Sequence, residues 1–442
     1  MTEEHTLIVL GATGDLAGRL LVPALARLAL AGQLPDGFRF VGAGPQEWGA
    51  QQFRSHLNEK LAAHASDLSA ADLGPLVEQF DYRPVDVLDP AAIGRVFGPW
   101  LAEGRVTFYL ALPTNLIGPT VAALERIGLP SSARVAVEKP FGTDLPTAVA
   151  LNATLARATA GPASVYRVDH VLGMPAVQNL PTVLAPLIPG PGRRPAIDEV
   201  AILWEETLGL EGRAAFYDGA GALKDLLQNH LLQILCIIIA AGDSGGTVVT
   251  RRLAAMRRIQ IPTAAQAVAD SRRARYTAGV LTGPGAAGVP DYSAEPGVDP
   301  ARRTETFAEV TLRVADPRWS GTRFVLRAGK ALKDRRRGVL VLSSESDTES
   351  ARWFDVDERA TAERPDSPEV FLSAPTEQLA YVNVLRDLLL GADRLSVSAE
   401  ESELAWRIFT SVLQEWASGS VPLDEYPAGS AADSVGDRPM SA

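Results

Sequence analysis

Through the first third of the chain, short apolar runs alternate with stretches whose apolar positions recur at helical spacing. HTLIVLGA predicts a strand, LAGRLLVPALARLALAG a helix and FRFVGAG a second strand. RVTFYLAL and ARVAVEKP predict further strands, with helical TVAALERIG between them. Strand–helix–strand order implies right-handed crossovers and a parallel sheet. From about residue 176 the texture changes. PLIPGPGRRP is a Pro/Gly-rich connection, and EVAILWEETLGL then predicts a longer strand of a different sheet. The helical run GALKDLLQNHLLQILCIIIA leads into the loop TGPGAAGVPDYSAEPG. TETFAEVTLRVAD, TRFVLRAGKAL and RGVLVLSS predict antiparallel strands, and AYVNVLRDLLLG and AEESELAWRIFTSVLQEWASG two closing helices. The small, polar tail after Tyr426 is expected to be mobile. The pattern divides into a dinucleotide-binding domain over 1–175 and a larger β+α domain over 176–442, consistent with a chain too long for one core.

Composition narrows the function. The chain is 46% hydrophobic and 21% charged, a globular balance. A net charge of −11 argues against nucleic acid as the main partner. The single cysteine, Cys236, lies in the apolar run LLQILCIIIAA, so no internal disulfide or cysteine-rich metal site forms; no metal site is expected. The acidic start MTEEH lacks the features of a signal peptide, and no run approaches the ~20 apolar residues of a membrane span. A cytoplasmic protein without a membrane partner is expected.

LIVLGATGDLAGRLLVPAL places Gly11, Gly14 and Ala17 in G-x-x-G-x-x-A spacing where a strand meets a helix. Gly11 suits the tight turn, Gly14 the close approach of a pyrophosphate, and Ala17 close helix–strand packing. Thr13 offers a hydroxyl, and the helix start at Asp15 and Leu16 offers backbone N–H groups to phosphates. A glycine turn of purely structural origin is the competing reading. The second strand ends VGAGPQEW, without Lys or Arg and with Glu47 a few residues late. The coenzyme is therefore NAD or NADP, with NAD favoured.

Five histidines are present. His5 falls in a leader segment, and His56 and His64 in a polar helical stretch. His170 follows Asp169 in RVDHVLGM, and His230 shares a helix with Asp225, Asn229 and Gln233. At ~100° per residue these four polar side chains span about 140° of an otherwise apolar helix. Either they form a buried hydrogen-bond network, or they wall a site in which His230 removes a hydroxyl proton with a carboxylate orienting its ring.

Several strings occur in order from end to end: GATGDLAGRLLVPAL, EKPFGTDLPTA, RVDHVLGMPAVQNL, EGRAAFYDGAGALKDLLQNHLLQIL, GVPDYSAEPGV, TETFAEVTL, RWSGTRFVLRAGKAL, ESELAWRI and YPAGS. Together they resemble the glucose-6-phosphate dehydrogenase family over nearly the whole chain. The resemblance implies a Rossmann-like coenzyme domain, a second domain built on a large, mostly antiparallel sheet, and homodimers or homotetramers formed through that sheet. It implies oxidation of the C1 hydroxyl of a hexopyranose to a lactone, with hydride transfer to NAD(P)+. His230 would be the base and Asp169 the carboxylate that assists it. Lys139 of EKP would lie near substrate and nicotinamide, followed by a cis Pro140. Glu206 and Asp225 would contact sugar hydroxyls, His170 the phosphate, and Lys330 and Arg335 the substrate. Gly11, Thr13, Gly14, Asp15 and Leu16 would hold the coenzyme.

Two positions depart from the family pattern. The family's R-I-D-H-Y-L-G-K reads RVDHVLGM here, so the phosphate-gripping Tyr and Lys are Val171 and Met174. Charge-assisted bonds worth ~1.5–3 kcal/mol each are lost. The coenzyme arginine after the second strand is also replaced, near Pro45 and Gln46. Glucose 6-phosphate, an unphosphorylated or differently 6-substituted hexose accommodated by an apolar Val171/Met174 wall, and a non-catalytic regulatory role all stand as readings. In KDRRRG a solvated loop is the default, with Arg335 alone expected to face substrate.

Overall fold

The computed structural model describes residues 5–188, 197–281 except 211 and 213, 288–345, 348–357, 371 and 374–435. Most of the Pro/Gly-rich connection (from residue 189), residues 282–287 of the predicted loop and residues 436–442 of the tail lie outside the described residues. The chain forms two compact units. The first comprises Met1–Gly142, Pro146–Gln178 and Arg359–Ser402; the second comprises Thr143–Leu145, Asn179–Glu358 and Glu403–Ala442.

In the first unit, β1 (His5–Leu10), β2 (Phe38–Gly44), β3 (Asp81–Pro84), β4 (Arg105–Leu110), β5 (Arg134–Glu138) and β6 (Val165–Val168) form one sheet. Its order is β3-β2-β1-β4-β5-β6 and every pairing is parallel. This is the doubly wound arrangement that the strand–helix alternation predicts, with its switch of direction between β1 and β4. Central strands covered on both faces need near-continuous apolar sequence, which explains the LIVL run. His5 is no leader residue. It opens β1, is 5% exposed, and its Nε2 lies 3.1 Å from Thr107 Oγ1. The edge strand β6 is covered: Val397 N–H donates to Arg167 O (3.0 Å) and Arg167 N–H to Ser396 Oγ (3.0 Å). The helix Thr376–Leu389 packs on the first helix, where Arg27, 0% exposed, donates to Asp67 (2.8 and 2.9 Å) and to Gln378 (3.1 Å).

The second unit holds β7 (Ile197–Glu205), β8 (Ser271–Thr277), the ribbon β9 (Gly279–Val280) and β10 (Gly288–Val289), β11 (Phe307–Leu312), β12 (Arg323–Gly329), β13 (Arg336–Glu345), β14 (Thr348–Asp355) and β15 (Leu423–Pro427). The main sheet runs β14-β13-β7-β12-β11-β8-β15. It is antiparallel except for β7–β12 and β8–β15, so TRFVLRAGKAL runs antiparallel to one neighbour and parallel to the other. Residues 423–435 are not a loose tail. Tyr426, Ala428, Ala432 and Val435 are buried with Tyr217, Tyr276, Tyr292 and Phe307 in one apolar cluster.

Against this sheet lies Leu223–Ala240. It is long and apolar enough by length and composition to cross a membrane, with mean hydropathy 1.3 over 18 residues, yet 78% of it is buried within the protein. It is the core helix of its unit. Its first half, Leu223–Leu231, is wound as a π-helix, and only Leu232–Ala240 is α-helical. The 3.6-residue period used for the polar stripe therefore does not hold there, because i→i+5 bonding widens each turn.

Gly11 illustrates how tightly the first crossover is made. Its φ is +87°, and a Cβ there would stand 2.3 Å from Ala111 O. At Gly14 the nearest atom to an added Cβ is Gly11 O at 3.1 Å. Gly11→Ala is expected to cost about 1–3 kcal/mol and lower the thermal midpoint, whereas Gly14→Ala should lower it much less; calorimetry on the three proteins checks this.

Candidate active site

The first unit builds a phosphate-binding turn from β1. Gly11 and Ala12 donate N–H groups to Ala43 O of β2 (2.8 and 3.1 Å), and Gly14 N–H donates to Gly11 O (3.0 Å). The helix follows at once, with Ala17 fully buried as its spacing requires. Asp15 is exposed and pairs with Arg19 at 3.2 Å; Leu16 is half-buried. A glycine cradle at a helix start, at the carboxyl edge of a parallel sheet and at its switch point, fits the pyrophosphate of a dinucleotide. Thr13 turns its hydroxyl to Gln46 Oε1 (3.0 Å), which Tyr82 OH also reaches (3.2 Å). Trp48 packs against His56 and Tyr82, and Glu47 is exposed. The strand-end turn thus presents Gln46 where a carboxylate or a cation decides ribose chemistry in such folds.

At the carboxyl ends of β5 and β6, Lys139 N–H donates to Val168 O (3.2 Å), which sets Lys139 beside Asp169 and His170 in the sheet. The Lys139–Pro140 bond is cis. Asp169 is 1% exposed and caps the turn His170–Gly173, accepting from Val171 N–H at 3.3 Å. Val171 and Met174 are 0% and 1% exposed, so neither is an open apolar wall for a substituent. The turn that carries them packs on the Thr376–Leu389 helix, and Asn383 donates to Gly173 O at 2.8 Å.

Sequence reasoning missed Glu138, the residue before Lys139. It is 8% exposed, and its Oε1 accepts from the hydroxyls of Tyr109 and Tyr381 (3.1 Å for the latter). The Tyr381 ring in turn stacks on His170, with centroids 5.4 Å apart. Burial pushes the Glu138 carboxyl up to about 7, opposed by the two tyrosines and Lys139 and assisted by Asp169. Only the EKP motif hinted at it.

In the second unit His230 is 2% exposed on the π-wound segment, its ring 6.0 Å from that of Trp204. Asp225 is half-buried on the same segment. Asn229 belongs to the helix backbone rather than to a site wall: its Oδ1 accepts from His230 N–H (2.7 Å) and its Nδ2 donates to Lys224 O (2.8 Å). The helix start is capped by buried Glu305, which accepts from Leu223 N–H at 3.0 Å and is itself raised to about 7 by burial.

Glu206 lies between two cations. Lys330 Nζ donates to its Oε2 at 2.6 Å and Arg337 Nη2 to its Oε1 at 2.5 Å. Burial raises this carboxyl, but Lys330 and Arg337 outweigh it and the net shift is downward. Arg335, half of its side chain exposed, pairs with Asp357. The run KDRRRG is therefore not a solvated loop throughout. Arg336 and Arg337 open β13 opposite Glu205 and Trp204, and the Arg337 side chain is 12% exposed.

Each unit has counterparts in known proteins. A model of the glucose-6-phosphate dehydrogenase NAD-binding domain matches residues 8–179, and one of the glucose-6-phosphate dehydrogenase C-terminal domain matches residues 193–364. The chain belongs to the glucose-6-phosphate dehydrogenase family. It is 34% identical to glucose-6-phosphate 1-dehydrogenase of Treponema pallidum over 96% of this chain and 91% of the relative. The corresponding enzyme of Gluconobacter oxydans is 32% identical, over 97% and 94%. In fold it is similar to a glucose-6-phosphate dehydrogenase solved in complex with its substrate glucose-6-phosphate (TM-score 0.80, 22% identity, 98% and 96% covered). The enzyme from Mycobacterium avium gives a TM-score of 0.74 at 25% identity, over 97% and 95%.

Glu138 makes a pH prediction. Native Glu138 keeps its proton up to about 7, whereas the unfolded chain releases it near 4.5. Between these values the native state holds more protons, so this group's contribution to stability falls as pH rises. Glu138→Gln keeps the acceptor for both tyrosines and removes that slope. Relative to the parent, the variant should gain stability from about pH 5 to about pH 8 in urea denaturation; a constant difference across the range would contradict a neutral native carboxyl.

Proposed function

We propose that this family member oxidises the C1 hydroxyl of glucose 6-phosphate to the lactone. The observation that carries the reading is His230, buried against Trp204, with Glu206, two residues along the chain from Trp204, held ionised by Lys330 and Arg337, in a chain matched by both family domains. His230 takes the C1 hydroxyl proton, and Asp169 is the carboxylate that assists this base. The C–H bond gives up its electron pair as hydride while the C1–O bond becomes a carbonyl. Nicotinamide, when bound, supplies the hydride acceptor. Gly11, Thr13, Gly14, Asp15 and Leu16 would hold the coenzyme pyrophosphate, with Lys139 near nicotinamide and substrate. Glu206 and Asp225 orient the sugar hydroxyls, His170 serves the phosphate, and Lys330 and Arg335 lie near the substrate.

NAD is the proposed coenzyme. Gln46, engaged by Thr13 and Tyr82, is neutral, and Arg83 on β3 is committed to Asp81 (2.6 Å) and the Trp100 ring. Coenzyme binding by residues 1–175, substrate binding by 176–442 aided by Asp169 and His170, a homodimer or homotetramer, and a cytoplasmic location complete the proposal.

The replacement of the family's Tyr and Lys by buried Val171 and Met174 keeps an unphosphorylated hexose as a second reading. Initial rates with glucose and glucose 6-phosphate, each with NAD and NADP, separate the two. Reduction of NAD by glucose 6-phosphate is expected, and activity on free glucose that exceeds it would select the second reading. His230→Asn should lower kcat by about 10²–10⁴-fold and leave the coenzyme dissociation constant unchanged. Normal turnover by that variant removes His230 as the base.

A further inference from the structure

Arg337 touches more of the second unit's machinery than any role yet given to it explains. It is the second residue of β13 and stands directly across from Trp204 in the sheet register. Its guanidinium carbon lies 4.6 Å from the centre of the Trp204 ring, and that ring is 6.0 Å from the His230 ring with an interplanar angle of 34°. Nη2 donates to Glu206 Oε1 at 2.5 Å, and Nη1 is 3.9 Å from Asp357 Oδ1. One planar cation therefore meets the carboxylate proposed to orient the sugar and the indole against which the proposed base rests.

Two physical points give this arrangement meaning. A single ammonium would neutralise Glu206, and Lys330 already supplies one through Oε2. The second cation on Oε1 adds orientation: with a different donor on each oxygen, the carboxylate plane cannot rotate without breaking a charge-assisted bond. A guanidinium can also lie flat on an indole while its edge donates hydrogen bonds, which an ammonium cannot reproduce. The ring that neighbours His230 is thereby also packed by a group that Glu206 holds in place.

We propose that Arg337 is a positioning residue of the proposed dehydrogenase reaction, holding Glu206 for the sugar and, through Trp204, the His230 ring for the proton. The proposal rests on the functional reading above. The charged groups facing Glu206 are Lys330 and Arg337, with Asp357 and its partner Arg335 beyond them.

The test compares Arg337→Met, Arg337→Lys and Glu206→Gln with the parent, using glucose 6-phosphate and the preferred coenzyme. Thermal midpoint and coenzyme dissociation constant serve as controls. Arg337→Met should raise KM at least tenfold and lower kcat several-fold, at an unchanged coenzyme dissociation constant. The acid limb of its kcat/KM profile should move to higher pH, since Glu206 loses one of two cations that hold its proton off. Arg337→Lys should return the acid limb towards the parental position while KM stays raised. Added to Glu206→Gln, Arg337→Met should raise KM no further. A folded Arg337→Met with parental KM, kcat and pH profile overturns the assignment, and so does a defect confined to the thermal midpoint. Should Arg337→Met not fold, Arg337→Lys decides, with parental kinetics counting against. An active parent with indifferent variants removes Arg337 alone; a parent inactive on every sugar removes the functional reading and this proposal together.

Discussion

A helix buried as thoroughly as Leu223–Ala240 must satisfy its polar groups without water, and much of the second unit follows from that constraint. Its sequence supplies apolar surface on nearly every side, so it occupies the core against the large sheet. The first turn takes its cap from Glu305, a carboxylate sunk deeply enough to approach neutrality near pH 7. Wider winding follows, and Asn229 folds back onto Lys224 O and His230 N–H to serve the backbone there. The candidate base is therefore carried by irregular helix inside a rigid surround. π-wound segments recur at functional positions in proteins, and here the irregularity sits beside the residue that the chemistry needs.

Charge is buried in both units under two different regimes. Glu206 meets a cation at each oxygen and stays ionised. Glu138 meets two hydroxyls at one oxygen and, without a bonded cation, is held near neutrality. Hydrogen bonds alone do not repay the desolvation of a full charge, whereas a pair of well-placed cations does.

What the sequence discloses and what it hides divide along the same line. β1 and β2 are plain from apolar runs, because a central parallel strand has no polar face to disguise it. The G-x-x-G-x-x-A turn is equally plain, since its glycines answer local backbone demands. Arg337 is hidden: a triple-arginine run looks solvated until Glu206, over a hundred residues earlier, is laid beside it by the β7–β13 pairing. The winding of the His230 helix is hidden too, because apolar spacing reports a face and not the number of residues per turn. The stretch around Ala432 and Val435 appears polar and mobile from composition, yet its few apolar side chains reach a cluster gathered from distant segments of the chain. Val171 and Met174 suggest a substrate wall by position within a motif, and burial removes that role.

The path of the chain between the units has a consequence for biosynthesis. The first unit's sheet is complete once β6 ends at Val168, but the unit still lacks its last segment. Gln378 serves the buried Arg27, Tyr381 bonds Glu138, the carbonyls of Leu388 and Ala392 receive Arg134, and Ser396 and Val397 seal the edge of β6. A nascent chain emerging from the ribosome must therefore hold an N-terminal sheet with an open edge, and an Arg27 bonded to Asp67 but not yet to Gln378, while more than two hundred further residues are added. A message truncated before codon 376 would encode the sheet without the segment that covers its edge strand.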